Sequence, residues 1–412
     1  MQLWQPPLPE RYNEMSDDEL AAAIVQRKRD LDGRVVILGH HYQQDDVVRF
    51  ADFTGDSFKL SQLAAEEVEK TGAKHVVFAG VHFMAESADI LTPEDVQVTL
   101  PDLGAGCSMA DMADYEDTLD AWAQIEEVLH GQNHRVIPIC YMNSSAAIKA
   151  FVGEHGGAVC TSSNCAKVFR WALAGGDTPL APGEKVKILF LPDQHLGRNT
   201  AADLGYDIHT DMCLWDPKHV DGLGGQDEQT IERSTFLLWK GHCSVHKLFR
   251  PEHVDQIREK WPDVTVMVHP ECAHEVVQKA DLSGSTEAIL RAVRDAETGS
   301  RWAIGTEVHM VNRLANEAAE RGVTVRMLSD CQCLCTTMYR IDMPHLLWSL
   351  DAIAAGKPVN VIRVHPTAKK WALEALDRML AINARDDVPP APTRIHAPAP
   401  PGPGIPPAPT ST

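Results

Sequence analysis

Three times along this chain the same order of parts recurs, and each time it closes on a cysteine. An apolar run ends in polar residues: Val35-Val36-Ile37-Leu38 leads to Gly39-His40-His41-Tyr42-Gln43, Val136-Ile137-Pro138-Ile139-Cys140 to Tyr141-Met142-Asn143-Ser144, and Val264-Thr265-Val266-Met267-Val268 to His269-Pro270-Glu271. A hydroxyl-bearing helix start follows at Ser57, Ser163 and Thr286, which lie 17, 22 and 17 residues after His40, Tyr141 and His269. Cys107, Cys243 and Cys335 close the units, 67, 102 and 66 residues after the same positions. Short apolar runs alternating with helical stretches predict parallel sheets with helices on both faces. Residue identity between the thirds is low, so what repeats is element order. The longer middle third is expected to carry an insertion around Asp203 to Arg233.

The expected divisions are a helical lead over 1–30, units over 31–125, 126–250 and 251–385, and a tail over 386–412. In the lead, Ser16 with Glu19 three residues on reads as a capping box. The last unit ends in helices from about Asp342 to Ala355 and from Ala368 to Ala384. In the tail, 10 of the 26 prolines fall between Pro389 and Pro409; such a stretch cannot form a core and is expected to be disordered.

Lys+Arg 38 against Asp+Glu 58 gives a net charge of -20. A phosphate backbone needs a basic face, so nucleic acid is excluded as partner. No stretch approaches the roughly 18–20 apolar residues of a membrane helix, and Met1 to Pro7 has neither the basic start nor the apolar core of a signal peptide. A cytoplasmic protein is expected. There, 10 cysteines are expected to include metal ligands or reactive thiols rather than disulfides. Cys140, Cys160, Cys165 and Cys213 read as small buried hydrophobes.

The three unit-closing cysteines sit at or past strand ends, where α/β proteins place their chemistry. If they meet, three thiolates can hold three irons of a [4Fe–4S] cluster and leave the fourth open, a Lewis acid for a hydroxyl, carbonyl or carboxylate. Zinc is the rival, although Cys331-x-Cys333-x-Cys335 lacks the paired two-residue spacing of structural zinc sites; on spacing alone both stand. Helix starts at Asp56-Ser57, Ser162-Ser163 and Ser285-Thr286 offer free N–H groups that suit carboxylates and phosphates. The pairs His40/Tyr42, Tyr141/Asn143 and His269/Glu271 point the same way from an extended chain and provide acids, bases and donors. His82, Glu86, His195 and Glu307 are expected mainly as supporting polar groups.

At these residues the sequence resembles the quinolinate synthase family, iron–sulfur enzymes of de novo NAD biosynthesis. The matching stretches run in order over about residues 30 to 350. They include Gly39-His40-His41-Tyr42-Gln43, Gly80-Val81-His82-Phe83-Met84-Ala85-Glu86, Gly106-Cys107-Ser108-Met109-Ala110, Leu191-Pro192-Asp193-Gln194-His195-Leu196-Gly197, Trp239-Lys240-Gly241-His242-Cys243 and His269-Pro270-Glu271-Cys272. The resemblance implies three pseudo-symmetric α/β/α (Rossmann-like) domains around one active site, with a [4Fe–4S] cluster on Cys107, Cys243 and Cys335. The implied reaction condenses iminoaspartate with dihydroxyacetone phosphate to quinolinate, with loss of phosphate and two waters. By position, His40, Ser57, Tyr141, Asn143, Ser163, His269, Ser285 and Thr286 match substrate-binding residues; Tyr42, Tyr141 and Glu271 match proton carriers. The resemblance also implies a homodimer and a functional link to an L-aspartate-oxidising enzyme. Cys333 is the fallback for Cys335, because the spacing before the last ligand varies in the family. A cluster-dependent dehydratase of another hydroxy acid, and a metal-stabilised sensor, are the alternative readings.

Overall fold

The computed structural model describes residues 4–330 and 333–385 and the backbone of 394–395. Cys331 lies outside the described residues, as does most of the tail.

The first third forms β1 (Val35–His40), β2 (Phe53–Gly55), β3 (His75–Ala79) and β4 (Gln97–Thr99), all parallel, in spatial order β4-β3-β1-β2. The middle third forms β5 (His134–Tyr141), β6 (Ala158–Cys160), β7 (Lys185–Leu191), β8 (Met212–Trp215) and β9 (Phe236–Trp239), in order β6-β5-β7-β9-β8. The last third forms β10 (Thr265–Val268), β11 (Leu282–Ser283), β12 (Arg301–Gly305) and β13 (Thr324–Met327), in order β13-β12-β10-β11. Leaving out β8, every sheet runs fourth, third, first, second. The fold is α/β, as the alternation of apolar runs and helical stretches predicts. The insertion expected in the middle third is the strand β8 and the short helix Glu228–Arg233, packed on the outer edge of its sheet.

Strand burial explains why the runs are apolar throughout rather than alternating. In β7 every residue after Lys185 is buried, because helices cover both faces of a parallel sheet. Cys140, Cys160, Cys165 and Cys213 are buried within this apolar material, as expected of small hydrophobes. The N-terminal helix Asp17–Asp30 opens on the expected capping box of Ser16 and Glu19.

Two short antiparallel edge strands were not foreseen. Val361–Ile362 pairs with β4, and Arg394–Ile395 pairs with β11. The second lies within the tail expected to lack structure. Its two residues pair along the backbone with Leu282 and Ser283. The helix Pro366–Asn383 packs on the helix Ala146–Glu154 of the middle unit. At Gly153 a Cβ would lie 1.9 Å from the Trp371 carbonyl oxygen, so only glycine permits this approach. Among the described residues no helix is long and apolar enough to cross a membrane.

Candidate functional site

In each sheet the chain leaves the first strand to one side and returns for the third on the other. Loops that diverge this way leave a crevice at the carboxyl ends of the strands. All three crevices open into one cavity. The first unit contributes His40, Tyr42, Ser57, Phe83 and Cys107; the second Tyr141, Asn143, Ser162 and Cys243; the third His269, Glu271, Thr286 and Cys335.

The three unit-closing thiols are half-buried in this wall. Burial pushes the Cys107 thiol up to about 12, and Cys243 and Cys335 are raised by the same cause. Cys335 raises Cys107 further, and both raise Cys243. Thiols so placed become thiolates only when a cation replaces their protons. Three soft sulfur donors, one from each unit, fit a thiolate-bound cluster, and no fourth cysteine lines the cavity among the described residues. Cys333 is fully buried in an apolar cluster with Val245, Phe249 and Leu328 and is not part of the cavity wall. The ligand atoms of Cys243, His246 and Glu271 also lie within 4.8 Å of one another, a set that could hold a single cation.

Bonds between units fix the thiol-bearing loops. The Trp239 indole donates to the Met112 carbonyl at 2.6 Å, joining the loops of Cys243 and Cys107. Arg340 donates to Asp102 at 3.0 Å, joining those of Cys335 and Cys107. Within the middle unit, the Cys243 N–H donates to Asp193 at 3.2 Å.

The polar groups follow the repeat. The Tyr42 N–H donates to His40 Nδ1 at 3.1 Å, and the Glu271 N–H donates to His269 Nδ1 at 3.3 Å. In both rings Nδ1 is an acceptor, so Nε2 carries the hydrogen and is free to donate. Burial pushes both imidazoles down to about 3. They are neutral donors at neutral pH. Burial works against ionisation of Glu271, but the polar groups packed around it, His246 foremost, outweigh it; its carboxyl is held below the usual range. Tyr42 and Tyr141 are raised well above theirs by burial, then by Glu271. The cavity therefore pairs an ionised carboxylate with two protonated phenols.

Sequence reasoning missed two residues here. His246, only 1% exposed, places Nδ1 2.7 Å from Glu271 Oε2. The two atoms are in contact without an aligned hydrogen bond. His246 Nε2 lies 3.1 Å from Thr306 Oγ1, which is 2.8 Å from the Tyr42 hydroxyl. A chain of polar atoms thus runs from Glu271 to Tyr42. The available signal was a titratable residue three positions after Cys243.

Not every expected residue faces this cavity. Ser163 and Ser285 line a neighbouring one with Asn199 and Arg291, which meets the first at Asp56 and Ser162. The Ser163 hydroxyl bonds Thr161 at 2.8 Å, and that of Ser285 accepts from the Ala288 N–H at 3.3 Å as a helix cap. His82 and Glu86 line a more open cavity behind Cys107, with Asp111 and Arg340. Glu307 caps the helix Val308–Ala319, and burial pushes its carboxyl up to about 8. The His195 ring is partly buried, and its Nδ1 has no hydrogen-bond partner among the described residues.

The buried imidazoles predict a pH dependence. Below about 6.5 the unfolded chain protonates His40 and the folded chain does not. Its contribution to stability is complete above that pH and is lost toward pH 3. Asp193 and Glu307, buried and held above the usual carboxyl range, act in the opposite direction, so a variant serves as reference. Between pH 7 and pH 5 the unfolding free energy of the wild type should fall by about 2 kcal/mol relative to His40→Asn. Urea unfolding at both pH values checks it; equal falls in the two proteins would contradict the buried neutral ring.

The comparisons with known proteins agree over nearly the whole chain. A family described as "Quinolinate synthetase A protein" matches residues 22–381. The quinolinate synthase of Acidobacterium capsulatum is 51% identical over 376 residues, covering 90% of this chain and 95% of that protein. That of Streptomyces coelicolor is 49% identical over 368 residues, 89% of each chain. That of Bacillus subtilis is 47% identical over 375 residues, 91% of this chain and 96% of the relative.

Proposed function

Because the chain belongs to the quinolinate synthase family, we propose that its central cavity condenses iminoaspartate with dihydroxyacetone phosphate to quinolinate, releasing phosphate and two waters. The observation that carries this reading is the convergence of three thiols, two protonated tyrosines and one ionised glutamate on a single cavity. Cys107, Cys243 and Cys335 would hold a [4Fe–4S] cluster, whose iron without a protein ligand supplies Lewis acidity to a substrate oxygen or nitrogen.

The chain's own groups account for binding and proton movement. Ser57 and Thr286 open helices at the cavity wall, and the N–H groups there suit the phosphate and carboxylates. His40, His269 and Asn143 offer neutral donors to the carboxylates of iminoaspartate. Ser163 and Ser285 extend the anion-binding surface into the adjoining cavity. Glu271 takes a proton from the carbon that becomes the nucleophile. Tyr42 and Tyr141 deliver protons to the departing hydroxyls. His246 and Thr306 lie between Glu271 and Tyr42, so one proton can be passed between the two ends of the site. The imine hydrolyses in water, so an L-aspartate-oxidising enzyme must supply it nearby. Supply and use are both placed in the cytoplasm, and the protein is proposed to work there as a homodimer.

The reading is tested by incubating protein purified without oxygen with dihydroxyacetone phosphate and freshly generated iminoaspartate. Quinolinate, phosphate and consumed triose should appear in equal amounts. Release of phosphate without quinolinate would leave only a dehydratase.

A further inference from the structure

Tyr42 belongs to the first unit, yet its hydroxyl meets only groups of the third, Thr306 at 2.8 Å and Thr286 at 3.3 Å. Its loop, His41 to Gln44, lies outside any helix or strand and must be held across the interface by other means. We propose that Arg313, on the helix Val308–Ala319 of the third unit, is the positioning residue that sets Tyr42 in the reaction cavity; this rests on the proton-carrying role given to Tyr42 above. The half-buried guanidinium donates through Nη1 to the Gln43 carbonyl at 2.7 Å and through Nη2 to the His41 carbonyl. These two carbonyls flank Tyr42 on either side. The same Nη1 reaches the exposed Asp45 carboxylate at 2.6 Å.

A planar fork with donors in fixed directions can grip two carbonyls at once; an ammonium cannot fix both directions. Other side-chain ties also join this loop to the third unit. Gln43 donates to the Met338 carbonyl at 3.1 Å, Gln44 donates to that of Ile341 at 2.8 Å, and His41 meets Glu287 at 3.2 Å. Within the first unit the Tyr42 N–H donates to His40 Nδ1 and the Gln43 N–H to the His40 carbonyl; among the described residues, the Arg313 fork is the one tie from the third unit that holds the carbonyls on both sides of the tyrosine.

The test measures kcat and both KM values for quinolinate formation in Arg313→Met, Arg313→Lys, Asp45→Ala, Tyr42→Phe and the double variant Arg313→Met with Tyr42→Phe. A misplacement of about 1 Å can cost on the order of a hundredfold in rate. Arg313→Met should lower kcat by about that factor, with both KM values within about threefold and iron content unchanged. Arg313→Lys should recover little of it, and Asp45→Ala should stay within about twofold. In Tyr42→Phe the added Arg313→Met should change nothing. If Arg313→Met does not fold, Arg313→Lys carries the same comparison. A rise in KM with kcat unchanged, or an equal loss of kcat in the Tyr42→Phe background, overturns the positioning role while the reading of Tyr42 stands. Wild-type kcat in Tyr42→Phe overturns both.

Discussion

Glu271→Gln should lower kcat for quinolinate formation by about three orders of magnitude, a loss within the range for a positioned general base, while KM, iron content and thermal unfolding stay near those of the wild type. Glutamine has the same shape and can still face His246 and Tyr141. What it lacks is a site that accepts a proton and carries charge. Glu271 is 3% exposed and sits where both tyrosines feel its field. Its removal leaves two phenols with no base to complement them. An interaction made only in the transition state is lost from kcat and kcat/KM equally. Retention of more than a tenth of wild-type kcat would assign proton removal to another group. A loss of iron alongside activity would mean that Glu271 supports the metal centre instead.

The second large effect concerns the thiols. Cys107→Ser, Cys243→Ser and Cys335→Ser should each abolish quinolinate formation and take iron and sulfide from about four of each per chain to near zero. Cys333→Ser should keep both, because that thiol is buried among Val245, Phe249 and Leu328 and does not line the cavity. Its cost should appear as lower stability, about 1–3 kcal/mol for a hydroxyl placed in an apolar site. The measurement is iron, sulfide and zinc per chain with a Mössbauer spectrum on protein kept from oxygen. A cluster that survives Cys335→Ser would move the third ligand to another residue. Zinc in place of iron would favour the Cys243, His246 and Glu271 set and remove the open-iron chemistry.

The architecture was legible in the sequence because parallel strands covered on both faces are apolar from end to end. Val35 to Leu38 and Lys187 to Leu191 could hardly be anything else. The candidate site was legible because its residues follow those strands directly, at His40, Tyr141 and His269. Two kinds of feature escaped. The edge strands Val361–Ile362 and Arg394–Ile395 are two residues long and owe their form to an exposed edge elsewhere in the chain. His246 and Thr306 act through contacts made between units, Thr306 with Tyr42 of the first and His246 with Glu271 of the third, and no local pattern announces such a meeting. The helix starts were a partial case. By the resemblance, Ser57, Ser163, Ser285 and Thr286 are all expected to bind substrate. Ser57 and Thr286 face the reaction cavity, but the hydroxyl of Ser285 is turned to cap its helix and that of Ser163 is bonded to Thr161, so both line the cavity next door.

Each unit owns a single corner of the sulfur triangle. Among the described residues each unit brings one thiol to the cavity wall, and any two units together leave a gap. If the three thiols hold the proposed cluster, iron loading would be a checkpoint on completed assembly: a chain with one misdocked unit would stay metal-free, a set of protonated thiols, while a correctly docked chain would be locked by the metal it captures. Damage that stripped the proposed cluster would release that lock from all three units at once.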